Sequence, residues 1–111
     1  MDINQPTPGH VLVIPRAHIP DIYTLDEATA TAVFGLTIQV ARAVKAALQP
    51  DGITLLQANE PAGGQEVFHF HLHVLARYRG DRDRIRFGWQ AHLPSRAELD
   101  RLAAQIRASL G

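Results

Sequence analysis

Three histidines stand at alternate positions, His69, His71 and His73, within the run Val67-Phe-His-Phe-His-Leu-His-Val-Leu75, and they are half of the chain's six. Neutral imidazole carries protons near neutral pH and attacks phosphorus, so a row of imidazoles offers acid–base or covalent chemistry. The intervening Phe68, Phe70, Leu72 and Val74 are all apolar. Such period-two alternation predicts a strand with one buried face and one face of imidazoles. Just upstream lies a Gly-containing loop, Asn59-Glu-Pro-Ala-Gly-Gly-Gln65. Successive N–H groups around Gly63 and Gly64 can converge on an anion. Together, row and loop point to attack on a bound phosphate. His71, flanked by both neighbours, is the natural nucleophile, and water would later resolve the phospho-histidine.

Metal ligation is the competing chemistry. On a regular strand the Cα atoms of His69 and His73 lie ~13 Å apart, at ~3.3 Å per residue. Zinc binds imidazole nitrogens at ~2.0–2.1 Å, so one ion cannot take all three without breaking the strand. The chain has no Cys, and the alternation turns Glu66 to the other face. The plainest alternative is a strand whose exposed face merely happens to carry histidines.

The elements that position the row can also be read. A strand is expected over His10–Ile14, entered through the turn Pro6-Thr-Pro-Gly9 and closed by Pro15. A long helix is expected over Leu25–Leu48. Thr24 and Glu27 form its capping box, and Val33, Leu36, Val40, Val44 and Leu48 its buried stripe. Pro50-Asp-Gly52 stops it. A strand over Ile53–Ala58 pairs antiparallel with the histidine strand through the short loop. Phe68, Phe70 and Leu72 would then press on Val33, Leu36 and Val40. After the charged connection Arg77–Arg84, a short strand over Ile85–Trp89 is possible. A last helix starts at Ser95, with Ser95 and Glu98 as capping box and Leu99, Leu102, Ile106 and Leu110 as its stripe. This order gives an α+β domain: an antiparallel sheet with the long helix on its apolar face, and a C-terminal helix.

The 111 residues suit one domain, and the formal net charge of zero gives no electrostatic case for a nucleic-acid or membrane partner. Neither a signal peptide nor a run of ~20 apolar residues is visible, so a cytoplasmic protein is expected. Arg77, Arg79, Arg82, Arg84 and Arg86 are interrupted by Asp81 and Asp83 and read as a solvated, salt-bridged connection. Trp89 and His92 are either packing residues or a lip of a substrate or subunit surface. No GxGxxG or Walker-type loop appears, and no cofactor is called for.

The residues closely resemble the histidine triad (HIT) superfamily, whose signature alternates three histidines with apolar residues. His69-Phe-His-Leu-His-Val-Leu75 fits it throughout. Ala58–Phe68 resembles the family's phosphate loop, and Asp2–Pro15, continuing to His18-Ile19, its ribose-contact segment and following strand. The likeness is greater to the small bacterial and Hint-like members than to the galactose-1-phosphate uridylyltransferases. It implies hydrolysis or nucleotidyl transfer at the α-phosphate of a purine nucleotide, a nucleoside phosphoramidate or a dinucleoside polyphosphate. The resemblance makes His71 the nucleophile that is nucleotidylated. The backbone at His69 holds its tautomer, His73 contacts the phosphate or leaving group, and His10 supports the triad. By the same resemblance Asn59, Gly64 and Gln65 match phosphate-loop positions, with Glu66 where some members carry Ser or Thr. Asp2 matches a ribose-binding carboxylate, Ile3 a residue packing on the base, and His18 a structural histidine. Family members usually carry a helix and a hairpin ahead of the ribose segment, so residues 1–111 read as one HIT domain without it. The resemblance also implies a homodimer paired through the long helix and a sheet strand. A nucleotide-binding sensor with little turnover is the alternative function.

Overall fold

The structure is a computed structural model that describes residues 1–2, 4–81, 85 and 91–111. Its elements run β1 (Val11–Val13), α1 (Glu27–Leu48), β2 (Gly52–Leu56), β3 (Leu72–Arg77) and α2 (Arg96–Ser109). The strands form one antiparallel sheet in the order β1-β3-β2, so the histidine-bearing strand is central. The register sets Val11 opposite Val74, Val13 opposite Leu72, and Ile53 opposite Ala76. These side chains face α1 and build the core with Val33, Ile19 and Phe70. Leu12 and Leu56, both opposite His73, share the other face with it. The α+β layering and the antiparallel β2–β3 pair are as the sequence predicts.

Several details differ. Asp26, not Thr24, caps α1: its carboxylate accepts from Thr29 N–H at 2.8 Å and from the Thr29 hydroxyl. Thr24 is taken up by a separate 3-10 turn over Ile22–Thr24, capped by Asp21. The buried face of α1 is Val33, Thr37 and Val44, with Val40 partly covered. Thr37 is tolerated there because its hydroxyl donates to Val33 O. Leu36 and Leu48 are exposed instead, because three narrow strands shield only one side of a 22-residue helix. On length and mean hydropathy (1.3) α1 could cross a membrane, although no such run stands out by eye. One stripe of it, Val33, Thr37 and Val44, packs on the sheet, and most of the rest of the helix is exposed.

The histidine strand begins later than the alternation suggests. Regular pairing starts at Leu72, and Phe68 is exposed rather than packed on α1. β1 ends at Val13, so residues 68–71 have no strand to pair with there, yet Phe70 N–H still finds Ile19 O. Ser95 caps α2 as expected, accepting from Glu98 N–H. The helix buries none of its residues, however, and Leu99, Leu102, Ile106 and Leu110 all face outward. The radius of gyration, 16.7 Å, exceeds the ~13 Å of a compact chain of this size. Ile3, Trp89, Arg82, Arg84, Arg86 and most of the possible strand Ile85–Trp89 lie outside the described residues. Among the described arginines, Arg77 forms a bidentate pair with Asp81 and Arg79 lies near Asp51, which is the salt-bridged connection expected.

Candidate active site

β3 and the extended residues before it carry the row on the sheet face away from α1. Each imidazole is anchored by one nitrogen, and the anchor decides the tautomer. His71 Nδ1 lies 2.6 Å from His69 O. A carbonyl can only accept, so Nδ1 carries the hydrogen, and in the neutral ring the lone pair is on Nε2. His69 Nε2 lies 2.9 Å from Pro15 O and therefore donates. His69 thus contributes a carbonyl to His71 and its own ring to tying the row to the end of β1.

His10, 5% exposed, faces two acceptors through Nδ1: Asn4 O at 3.3 Å and the Asp2 carboxylate at 3.5 Å. Its Nε2 lies 2.8 Å from His73 Nδ1, with the two rings stacked at 5.0 Å. The rings of His71 and His73 meet edge-on at 4.9 Å. Burial, then the neighbouring His71 and His10, lower the pKa of His73, and Asp2 opposes the shift. His18 is exposed and edges onto His69 at 5.6 Å.

The loop differs from the anion cradle its glycines suggest. Pro61–Gly63 is a 3-10 turn, and Gly64 follows in the left-handed region at φ 96°. That turn folds the N–H groups inward: Gly63 and Gln65 donate to Glu60 O, and Gly64 to Pro61 O. Gln65 is 4% exposed and fastens the loop, accepting from Glu60 N–H and donating to Pro20 O and Val67 O. Asn59 accepts from Ile22 N–H and exchanges hydrogen bonds with Gln57. Glu66 is exposed. The structure therefore gathers His69, His71, His73, His10 and Asp2 into one cluster, while Asn59, Gly64 and Gln65 build the loop beside it.

A feature missed in the sequence is an apolar pocket of about 280 Å³ lined by Leu12, Ile14 and Val67 with His69 and His71. The signal was the same alternation in β1, which turns Leu12 and Ile14 to the histidine face. A larger cleft of about 420 Å³ lies between β1 and α1 on the other side of the sheet, with no histidine in its lining. Asp2, His10 and His73 also have the donor types of a metal site, with ligand atoms within 4.8 Å of one another. A single ion held by all three must displace the His10–His73 hydrogen bond, because His10 turns its two nitrogens to different partners.

The model of the HIT domain matches residues 1–80. This chain belongs to the HIT family. The HIT protein is 38% identical to protein hit of Bacillus subtilis over 92 residues, 83% of this chain and 63% of that one. It therefore spans less than two thirds of that relative's length. It is 31% identical over 81 residues to adenylylsulfatase HINT3 of Arabidopsis thaliana, covering 73% of this chain and 41% of that one. The crystal structure of a HIT family protein from Bacillus anthracis superposes with a TM-score of 0.92 at 38% identity, over 100% of this chain and 79% of that one. That superposition takes in α2.

Proposed function

We propose that this HIT protein hydrolyses or transfers nucleotidyl groups at the α-phosphate of a purine nucleotide, by way of a nucleotidyl-His71 intermediate. The observation that carries the reading is the 2.6 Å contact between His71 Nδ1 and His69 O, which places the hydrogen on Nδ1 and so makes Nε2 the nucleophilic nitrogen of the neutral ring. Nε2 attacks the α-phosphorus, and the bond to the leaving group, an amine or a phosphate, breaks with its electron pair, an amine taking up a proton from solvent as it departs. The oxygen of a water molecule then bonds to phosphorus, the P–Nε2 bond breaks with its electron pair returning to Nε2, and the water proton passes to solvent. Asp2 binds the ribose hydroxyls. The pocket over Leu12, Ile14 and Val67 supplies apolar surface beside the reacting phosphate. The adenylylsulfatase activity in the name of the Arabidopsis relative supports chemistry at an adenylate phosphorus.

The test is incubation with adenosine 5′-phosphoramidate or a diadenosine polyphosphate, followed by rapid acid quench and intact mass. A single adenylate adduct that His71→Ala abolishes is the expected result. One observation favours the second reading, a nucleotide sensor: the N–H groups of Gly63, Gly64 and Gln65 are spent inside the loop and not on a phosphate. Saturable nucleotide binding with neither adduct nor turnover would establish it instead.

The working unit in this proposal is a homodimer. Phe34 and Ile38 on α1 and Leu55 on β2 are exposed apolar residues flanking one side of the sheet, where a second copy would cover them.

A further inference from the structure

We infer that α2 of each chain packs on a second copy, so that exchanged C-terminal helices hold the homodimer together with the α1–β2 flank. The inference rests on the homodimer reading and adds a second contact surface to it. Its starting point is α2 itself. Ser95 caps the helix, Arg96 and Asp100 pair across one turn, and Leu99, Leu102, Ile106 and Leu110 recur every three or four residues. That spacing gathers the four on one face as an apolar stripe suited to burial. Yet α2 buries none of its residues, and the four are 40–74% exposed. Among the described residues the core between sheet and α1 includes none from α2. A helix of 14 residues standing alone is marginal in water, so its order depends on a surface that covers the stripe.

Area favours a second copy as that surface. A stable protein–protein contact takes ~800 Å² from each partner. Even a fully buried aromatic side chain supplies only ~150–250 Å². Phe34, Ile38 and Leu55 are 43–56% exposed, so the α1–β2 flank alone falls well short of a stable contact. The stripe on α2 brings four more side chains of similar exposure and more than doubles the apolar area that each copy offers. Under a two-fold axis the exchange is reciprocal, so each copy both gives a helix and receives one. A membrane surface suits α2 less well. Helices that lie on membranes carry Lys and Arg on the polar face and aromatic residues on the other. α2 has no aromatic residue, and Glu98 and Asp100 stand among its three arginines.

The chain has no cysteine, so Ser109→Cys places a single spin label at the exposed end of α2. Spin-labelled chain without ¹⁵N is mixed with ¹⁵N chain without the label, and amide spectra are recorded. Broadening of α1 or β2 amides in the ¹⁵N copies is the expected result, because only α2 of another copy can cause it. In sedimentation velocity, the double variant Leu102→Asp with Ile106→Asp should dimerise about 100-fold more weakly than the wild type, about tenfold for each charge set in the contact. Should the aspartates unfold α2, Leu102→Ala with Ile106→Ala keeps good helix formers and should still weaken the dimer at least about tenfold. A dimer of unchanged affinity in the folded variant overturns the exchange and leaves the homodimer standing. So does broadening that is absent from the mixture but present when one chain carries both label and ¹⁵N, since α2 then lies on its own body. A wild type that sediments as a monomer at every concentration overturns the homodimer reading itself.

Discussion

His69 and His71 have the same side chain and opposite assignments, and the difference is testable. His71 is held by the carbonyl of His69, not by its ring, so His69→Ala leaves the His71 tautomer in place. What it removes is the anchor to Pro15 O. In rapid-quench mass spectrometry His71→Ala should give no adduct, whereas His69→Ala should still form it, slowed by about tenfold as expected for mispositioning. His73 supplies a pH prediction. Its folded pKa lies below the ordinary 6.5, so between the two values the unfolded chain binds more protons than the folded one. Its contribution to stability is thus complete above about 6.5 and is lost as pH falls toward the lowered value. Thermal melts of wild type and His73→Gln should converge on acidification and separate near neutrality. The row itself was legible from the alternation alone. The tautomers were not, because Pro15 O and Asn4 O are set by folding the chain before and after β1.

At the scale of elements, the turn into β1 is constrained by packing. Gly9 has φ 96°, and a Cβ there would stand 2.6 Å from Leu48 Cδ1 and 3.2 Å from Ala76 Cβ. Gly9→Ala should therefore cost about 1–3 kcal/mol in denaturant unfolding, through strain and overpacking. It also moves the neighbouring His10. The loop between β2 and β3 gives a second prediction. Gln65→Ala deletes three hydrogen bonds of a buried side chain and orphans Glu60 N–H. The expected loss is about 1–3 kcal/mol. Proteolysis at the loop should increase even where the adduct still forms. Helix and strand identities were readable from periodicity, but the α1 cap was not. Thr24 and Asp26 both suit an N-cap, and the 3-10 turn at Ile22–Thr24 removes Thr24 from the competition.

At the scale of the whole molecule, apolar surface is left over in two places. α1 shows Phe34 and Ile38 outward, and α2 buries none of its residues, with Leu99, Leu102, Ile106 and Leu110 exposed. In the proposed homodimer the α1 flank is buried, and sedimentation velocity should show a dimer that Ile38→Asp converts to monomer. The melting temperature of the wild type should rise with concentration and that of the variant should not. The apolar stripe of α2 was legible from its spacing. Periodicity reports that a face is apolar and is silent on which surface covers it.

The sequence by itself determined the family, the α+β layering and the candidate histidine row, because alternation, spacing and capping residues are local properties written in consecutive positions. Tertiary structure alone decided which nitrogen of each imidazole is bare, that the loop glycines turn their N–H groups inward, and that His10 reaches His73 across β1 and β3. Those outcomes depend on atoms brought together from positions as far apart as Asn4 and His73, and no local pattern fixes the direction of a hydrogen bond between them.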